Sequence, residues 1–172
     1  LAHLSQDPGL LEAFQRDEDI HATTGSMMFD VALDRVSYDH RRIAKVLNFG
    51  VIYGLSPYGI AQQTGFSPEE GARFIETYFS KYPGILGYLD GLRTQVRQVG
   101  YVETVLGRRR YLPEVSAPNF NVRQAAERMA VNMPIQGTAA DIMKMAMILV
   151  NLRMEESNLK SKLLLQVHDE LV

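Results

Sequence analysis

From Leu1 to Gly100, apolar positions recur every three to four residues, the spacing that gives a helix one buried face. Helix starts are written where that spacing needs them. Asp7-Pro8 opens a helix with Leu10, Leu11 and Phe14 on one side, and proline takes the first position, where its missing N–H costs nothing. Asp19 precedes a short helix through His21 to Phe29. Ser37 can cap a longer one from about Tyr38 to Tyr53, with Gly54 as its stop. Ser56-Pro57 and Ser67-Pro68 repeat the cap-then-proline start, and Ser67-Pro68-Glu69-Glu70 reads as a capping box. Pro83 begins a further helix that ends near Gly100.

The period then changes. Tyr101–Val105 and Tyr111–Leu112 flank Gly107 and three arginines, which predicts a small hairpin or extended arm. Two long helices are expected next, roughly Val122–Asn132 and Thr138–Glu156, separated by Pro134 and Gly137. The last segment reads as a strand, Leu163–Val167, then the polar turn His168-Asp169-Glu170, then a strand at Leu171-Val172. Without repeats, low-complexity tracts or a linker, the pattern is a predominantly helical α+β fold.

Composition narrows the class. The chain has 172 residues, 46% hydrophobic and 22% charged, as in soluble globular proteins. Cysteine is absent, which excludes disulfides and thiolate metal sites and fits a reducing compartment. The apolar stretch Ile142–Val150 is interrupted by Lys144, so no membrane span is expected. No basic-then-apolar leader is visible. A net charge of −2 offers no global case for nucleic-acid binding, so any such case rests on where the cations sit. The chain begins at Leu1 and stops at Val172 inside an apolar run, and it reads as an excerpt of a longer protein.

On the helix after Ser37, four-residue steps drift only about 40° around the axis. Arg41, Lys45, Phe49 and Tyr53 therefore form one slowly turning stripe, with cations leading and aromatics trailing. The cations lie near the amino end, where backbone N–H groups already favour anions. A polyphosphate laid there would meet Arg41 and Lys45, and an attached ring could stack on Phe49 and Tyr53. The same spacing also fits a solvated face merging into core. Likewise His168-Asp169-Glu170 could be an ordinary turn or a place where carboxylate oxygens meet a hard cation. Arg108, Arg109 and Arg110 could hold a DNA backbone or simply face solvent. Asn132 and Gln136 are ordinary caps by spacing alone. His3 and His40 read as structural, and Met143, Met145 and Met147 as filler.

The strings decide between these. RRIAKVLNFGVIYG, beginning at Arg41, resembles the nucleotide-binding helix of family A DNA polymerases, with every pattern position filled. LLLQVHDELV resembles the second metal-binding palm motif of the same family, and GYVETVLGRRRYLPE and ERMAVNMPIQGTAADIMKMA follow the family as well. The resemblance runs from Leu1 to Val172. It implies the fingers and part of the palm of a right-hand fold: palm-to-fingers helices over about 1–35, fingers over about 36–115, and a return to the palm over about 116–172. The implied reaction is template-directed transfer of a nucleotide from a dNTP to a primer 3′-OH by two Mg2+ ions. The implied partners are dNTPs and primer-template DNA, within a monomeric, longer polymerase chain of the bacterial cytoplasm.

The resemblance also carries roles. Arg41 and Lys45 would hold the triphosphate and stabilise charge as pyrophosphate leaves, with His21 beside them. Phe49 would pack on sugar and base, Tyr53 would check the nascent pair, and Gly50 and Gly54 would let the fingers close. Asp169 would be the catalytic metal ligand, Glu170 a supporting acid, and His168 a primer-end contact. Arg108, Arg109 and Arg110 would hold DNA, while Arg128, Asn132 and Gln136 would sense pair geometry from the minor groove. The family's other essential aspartate belongs to a motif upstream of the segment resembling Leu1–Ser5. Asp7, Asp17 and Asp19 sit in helix-start or surface contexts and do not replace it, so the fragment alone is expected to be inactive. A phage-type single-subunit RNA polymerase shares a similar helix but differs at Asn48-Phe49-Gly50 and at Glu170. An inactive nucleotide- or DNA-binding fragment is the alternative of another class.

Overall fold

Polar caps set the helix boundaries that the apolar spacing leaves open. In the computed structural model, which describes residues 1–168 and 170–172 with the side chain of Val51 left aside, the order begins with α1 (Ala2–Ser5), α2 (Pro8–Gln15), α3 (Ile20–Phe29) and α4 (Tyr38–Ile52). It continues with α5 (Pro57–Thr64), α6 (Pro68–Lys81) and α7 (Pro83–Val99). Asp7, Asp19, Ser56 and Ser67 each accept a backbone N–H of the helix they precede, and Ser67 with Glu70 completes the capping box. Ser37 Oγ accepts the His40 N–H at 3.1 Å, and Gly54, at φ 72°, follows the end of α4 in the left-handed region. The one face misread is that of α2: Leu10 and Ala13 are buried, whereas Phe14 is 61% exposed.

α7 joins two apolar clusters. Its first half sends Ile85 and Leu89 into a core with Leu47, Ile60, Phe74, Tyr78 and Tyr82. Its second half sends Leu92 and Val96 against Val102, Leu112, Ala126 and Ala130. Asp7 is fully buried between the first core and α7, where one carboxylate oxygen accepts the Leu10 N–H and the other accepts Gly84 N–H at 2.8 Å. Burial pushes the Tyr78 and Tyr82 hydroxyls well above their usual range, so both stay neutral.

The hairpin is present and small: β1 (Tyr101–Glu103) pairs antiparallel with β2 (Arg109–Tyr111), placing Val102 opposite Arg110. The expected pair of long helices is instead one, α8 (Phe120–Glu156), which runs through Pro134. Proline removes one helical hydrogen bond and crowds the preceding turn, a cost of about 3 kcal/mol. Tertiary contacts on both sides hold the helix through it. Ala126, Ala130 and Val131 are buried in the cores before the proline. After it, Arg108 donates to Gly137 O at 2.8 Å and Val105 N–H donates to Thr138 Oγ1 at 3.1 Å. A Cβ on Gly137 would come within 2.7 Å of Thr104, so glycine is what lets the hairpin lie this close.

The C-terminal segment forms β3 (Gln166–Val167) and β4 (Glu170–Leu171), shorter than expected, although Val172 O also accepts the Leu164 N–H. Leu164, Leu165 and Val167 are exposed, as are Ile142, Ile148 and Leu149 on the far half of α8. Among the described residues, no helix is long and apolar enough to cross a membrane.

Candidate functional site

α3 and α4 pack side by side, and their polar residues meet along one edge. Asp19 caps α3 through Oδ1, which accepts the N–H groups of His21 and Ala22, while Oδ2 accepts Arg41 Nε at 2.6 Å. Slight burial pushes the Asp19 carboxyl up, but the Arg41 and backbone hydrogen bonds outweigh it and hold it below the usual range. Both partners are nearly half exposed, so solvent screens the pair and limits it to about 1 kcal/mol. One turn on, Lys45 has no ion-pair partner among the described residues.

His21 lies under these cations. Burial lowers its pKa first, Arg41 and Lys45 lower it further, and Asp19 opposes them, so the ring is neutral near pH 7. Its Nδ1 is 2.9 Å from Asn48 Nδ2, and its ring is 5.8 Å from that of Phe49. Phe49 in turn stacks on Tyr53 at 6.2 Å with 19° between planes. Lys45, Phe49 and Tyr53 line an open groove of about 530 Å3 whose wall is mostly apolar. Of the stripe expected from sequence, Lys45, Phe49 and Tyr53 share the groove, while the second cation on its wall is Arg42 and Arg41 turns to Asp19.

Tyr53 also reaches α8. Gln136 Nε2 donates to the Tyr53 hydroxyl at 3.2 Å, and Tyr53, Arg128 and Asn132 share a recess of about 330 Å3. Because α8 is unbroken at Pro134, Arg128, Asn132 and Gln136 follow one helical stripe, in place of the proline-kinked turn expected between the last two. A neighbouring cleft of about 420 Å3 is lined by Arg108, Arg109 and Arg110 together with Asn132 and Gln136. Asn132 Oδ1 is buried in this wall without a hydrogen-bond partner among the described residues.

The three arginines are not equivalent. Arg108 Nε pairs with Asp141 Oδ1 at 2.9 Å, and Asp141 is 8% exposed with its other oxygen unpartnered. Arg109 pairs with Glu103 and lies over the Tyr101 ring at 4.5 Å. Arg110 touches only the Met129 sulfur, a weak acceptor, among the described polar groups. The positive field of the cluster is thus smaller than its composition suggests, and Arg110 carries most of what is free.

The terminal hairpin stands apart from this network. His168 occupies the left-handed region at φ 52°, its carbonyl accepting Gln166 Nε2, and Glu170 is exposed. Asp169, the expected metal ligand, lies outside the described residues. No hydrogen bond or ion pair joins His168 or Glu170 to α3, α4 or α8 among the described residues. No group of three or more His, Cys, Asp or Glu able to hold a metal occurs among them either. The exposed Glu170 carboxylate fits a hard divalent cation in chemistry, since Mg2+ takes oxygen donors and keeps several waters.

Sequence spacing marks Asp19 as a cap but not as the partner of Arg41, gives no signal for Thr24, whose hydroxyl donates to Asn48, and leaves Asp141 one of many polar residues in α8.

The family model for DNA polymerase family A matches residues 1–172. DNA polymerase I of Bacillus caldotenax is 53% identical over the whole chain, which corresponds to 20% of that protein. DNA polymerase I of Pseudomonas aeruginosa is 51% identical, with the chain covering 19% of it. Among solved structures, the POL domain of Pol1 from M. smegmatis, in complex with DNA primer-template and dNTP, superposes with a TM-score of 0.94 at 51% identity. That match covers 99% of this chain and 30% of the other. The chain thus spans about one fifth of the length of the curated relatives it matches.

Proposed function

The chain belongs to DNA polymerase family A, and from that premise we propose that it forms the nucleotide-gripping and pair-sensing part of a DNA-directed DNA polymerase. The enzyme adds deoxynucleotides from dNTPs to a primer 3′-OH under template direction. The observation that carries this reading is the row of neighbours in which Arg41 and Lys45 act on His21, His21 lies against Phe49, and Phe49 stacks on Tyr53, joined by hydrogen bond to Gln136. It has the charge order of a nucleotide, phosphates at one end and a flat ring at the other.

The residues divide the work. Lys45, without an ion-pair partner among the described residues, and Arg41, released from Asp19, hold the triphosphate and offset charge that develops as the pyrophosphate departs. His21 donates a hydrogen bond without adding charge. Phe49 supports sugar and base, and Tyr53 with Gln136, Asn132 and Arg128 forms the wall against which the new pair is gauged. Arg110, with Arg108 and Arg109, lies on the path of the DNA backbone. His168 meets the primer end. Residues 1–35 and 116–172 are palm-side and 36–115 are fingers, in approximate bounds.

Asp169, with Glu170 in support and an aspartate of the longer polymerase chain, would hold Mg2+, which would supply Lewis-acid activation of the primer hydroxyl and the phosphates. Primer-template DNA and dNTPs are the partners, in keeping with the relative solved with both. The setting is the bacterial cytoplasm, as part of a longer monomeric chain that the isolated segment does not replace in activity.

The test is single-turnover primer extension by a complete family A polymerase into which this segment is exchanged. Lys45→Ala should lower the incorporation rate on the order of a hundredfold with primer-template affinity retained. Loss of DNA affinity with nucleotide kinetics intact would overturn the assignment of the groove.

A further inference from the structure

Between α3 and α4, Thr24, Asn48 and His21 form a chain of two hydrogen bonds. Thr24 is fully buried and Asn48 is 4% exposed. The Thr24 hydroxyl donates to Asn48 Oδ1 at 3.1 Å. With that oxygen engaged, Asn48 turns Nδ2 toward His21 Nδ1, at 2.9 Å. An amide nitrogen donates and has no lone pair to accept with, so the ring nitrogen it meets must be bare. A neutral imidazole holds one proton, and with Nδ1 bare that proton sits on Nε2.

We propose that Thr24 and Asn48 are positioning residues that lock His21 as the Nε2–H tautomer, so that the ring offers a neutral N–H donor to a phosphate oxygen beside Arg41 and Lys45. The inference rests on the nucleotide-gripping reading of the groove. Free imidazole divides between two tautomers, one of which would turn a lone pair toward an anion and repel it. The relay removes that tautomer before substrate arrives, and the ring then needs no proton from solvent. The charged groups facing the ring are Asp19 on α3 and Arg41 and Lys45 on α4. Partial burial disfavours imidazolium, and two cations against one acid add to this, so the tautomer of the neutral ring is what matters.

The experiment reads ring nitrogen shifts in the polymerase carrying this chain, with 15N-labelled histidine and the His21 signals identified by their loss in His21→Gln. Without nucleotide, the wild type should show a bare Nδ1 and a protonated Nε2. Thr24→Ser should keep that pattern, and the isosteric Thr24→Val should give an averaged ring in a protein that still folds, its thermal midpoint lowered by the unpaired Asn48 oxygen. Asn48→Asp should move the proton to Nδ1, because a carboxylate can only accept. A protonated Nδ1 in the wild type, or a Thr24→Val spectrum identical to the wild type, would overturn the lock. Inorganic triphosphate should then bind Thr24→Val severalfold more weakly than Thr24→Ser. Equal affinity would overturn the purpose given to the lock. The ring readout needs no nucleotide, so its failure is separable from failure of the groove assignment, which Lys45→Ala tests.

Discussion

Gln136 and Tyr53 lie 83 residues apart and share a hydrogen bond of 3.2 Å from the amide nitrogen to the phenol oxygen. It joins the end of the nucleotide stripe on α4 to the pair-sensing stripe on α8. Position 53 therefore belongs to both halves of the proposed site, and a change there should reach each.

Tyr53→Phe keeps the ring stack on Phe49 and removes only the hydroxyl. The bond is exposed, so stability should change by no more than about 0.5–1 kcal/mol. Correct incorporation should slow severalfold, and discrimination against mispairs should fall with it. Single-turnover kinetics with matched and mismatched dNTPs in the complete polymerase check this. Gln136→Ala should give the same loss, and the double variant should show less than the sum if the two act through one bond.

The arginines of the hairpin should separate by experiment. Arg110→Ala should weaken primer-template binding and reduce the salt slope by about 1, the signature of one phosphate contact. Arg108→Ala leaves Asp141 without its cation and should destabilise by about 1–3 kcal/mol, because Arg108 itself is nearly half exposed and solvent screens the pair. Its first visible consequence should be lost amide protection at Val105, which donates to Thr138 on the same side of α8. Salt-dependent DNA titrations and hydrogen exchange distinguish the two.

Stability should fall on acidification in two stages. His21 has a lowered pKa in the fold, so between that value and about 6.5 the unfolded chain binds more protons than the folded one. The stability His21 contributes is therefore present above about 6.5 and is lost as pH falls through that window. Asp19, depressed in the fold, adds a second loss at lower pH, small because the pair is exposed. Thermal midpoints measured from about pH 8 to pH 5 should decline, and His21→Gln should flatten that decline.

Asp7→Ala should be among the most damaging single changes away from the site. It removes the α2 cap, worth about 1 kcal/mol, and leaves the part-buried Gly84 N–H unpaired at about 1–3 kcal/mol more. The thermal midpoint should drop by roughly 5–15 °C. Gly84→Ala should act through the same spot, because a Cβ there would meet the Asp7 backbone at 2.8 Å.

The sequence by itself determined the starts of α2 to α7 and the ends of α3, α4 and α7, because caps and stops are local chemistry: Asp7, Asp19, Ser56, Ser67 and Gly100 act within a few residues of themselves. It determined the stripe of Arg41, Lys45, Phe49 and Tyr53, since helical period alone puts them on one face. Its family-specific strings marked out the polymerase family, to which the chain belongs. Tertiary structure decided the rest. A local rule breaks the helix at Pro134, yet contacts from α7 and the hairpin outweigh one lost bond, and α8 continues. Arg108 and Arg110 are alike in sequence, but only the fold brings buried Asp141 to one and leaves the other open. Asp19 beside Arg41, Thr24 behind Asn48, and Gln136 against Tyr53 are pairings across distant segments, set by how helices pack and invisible to any spacing along the chain.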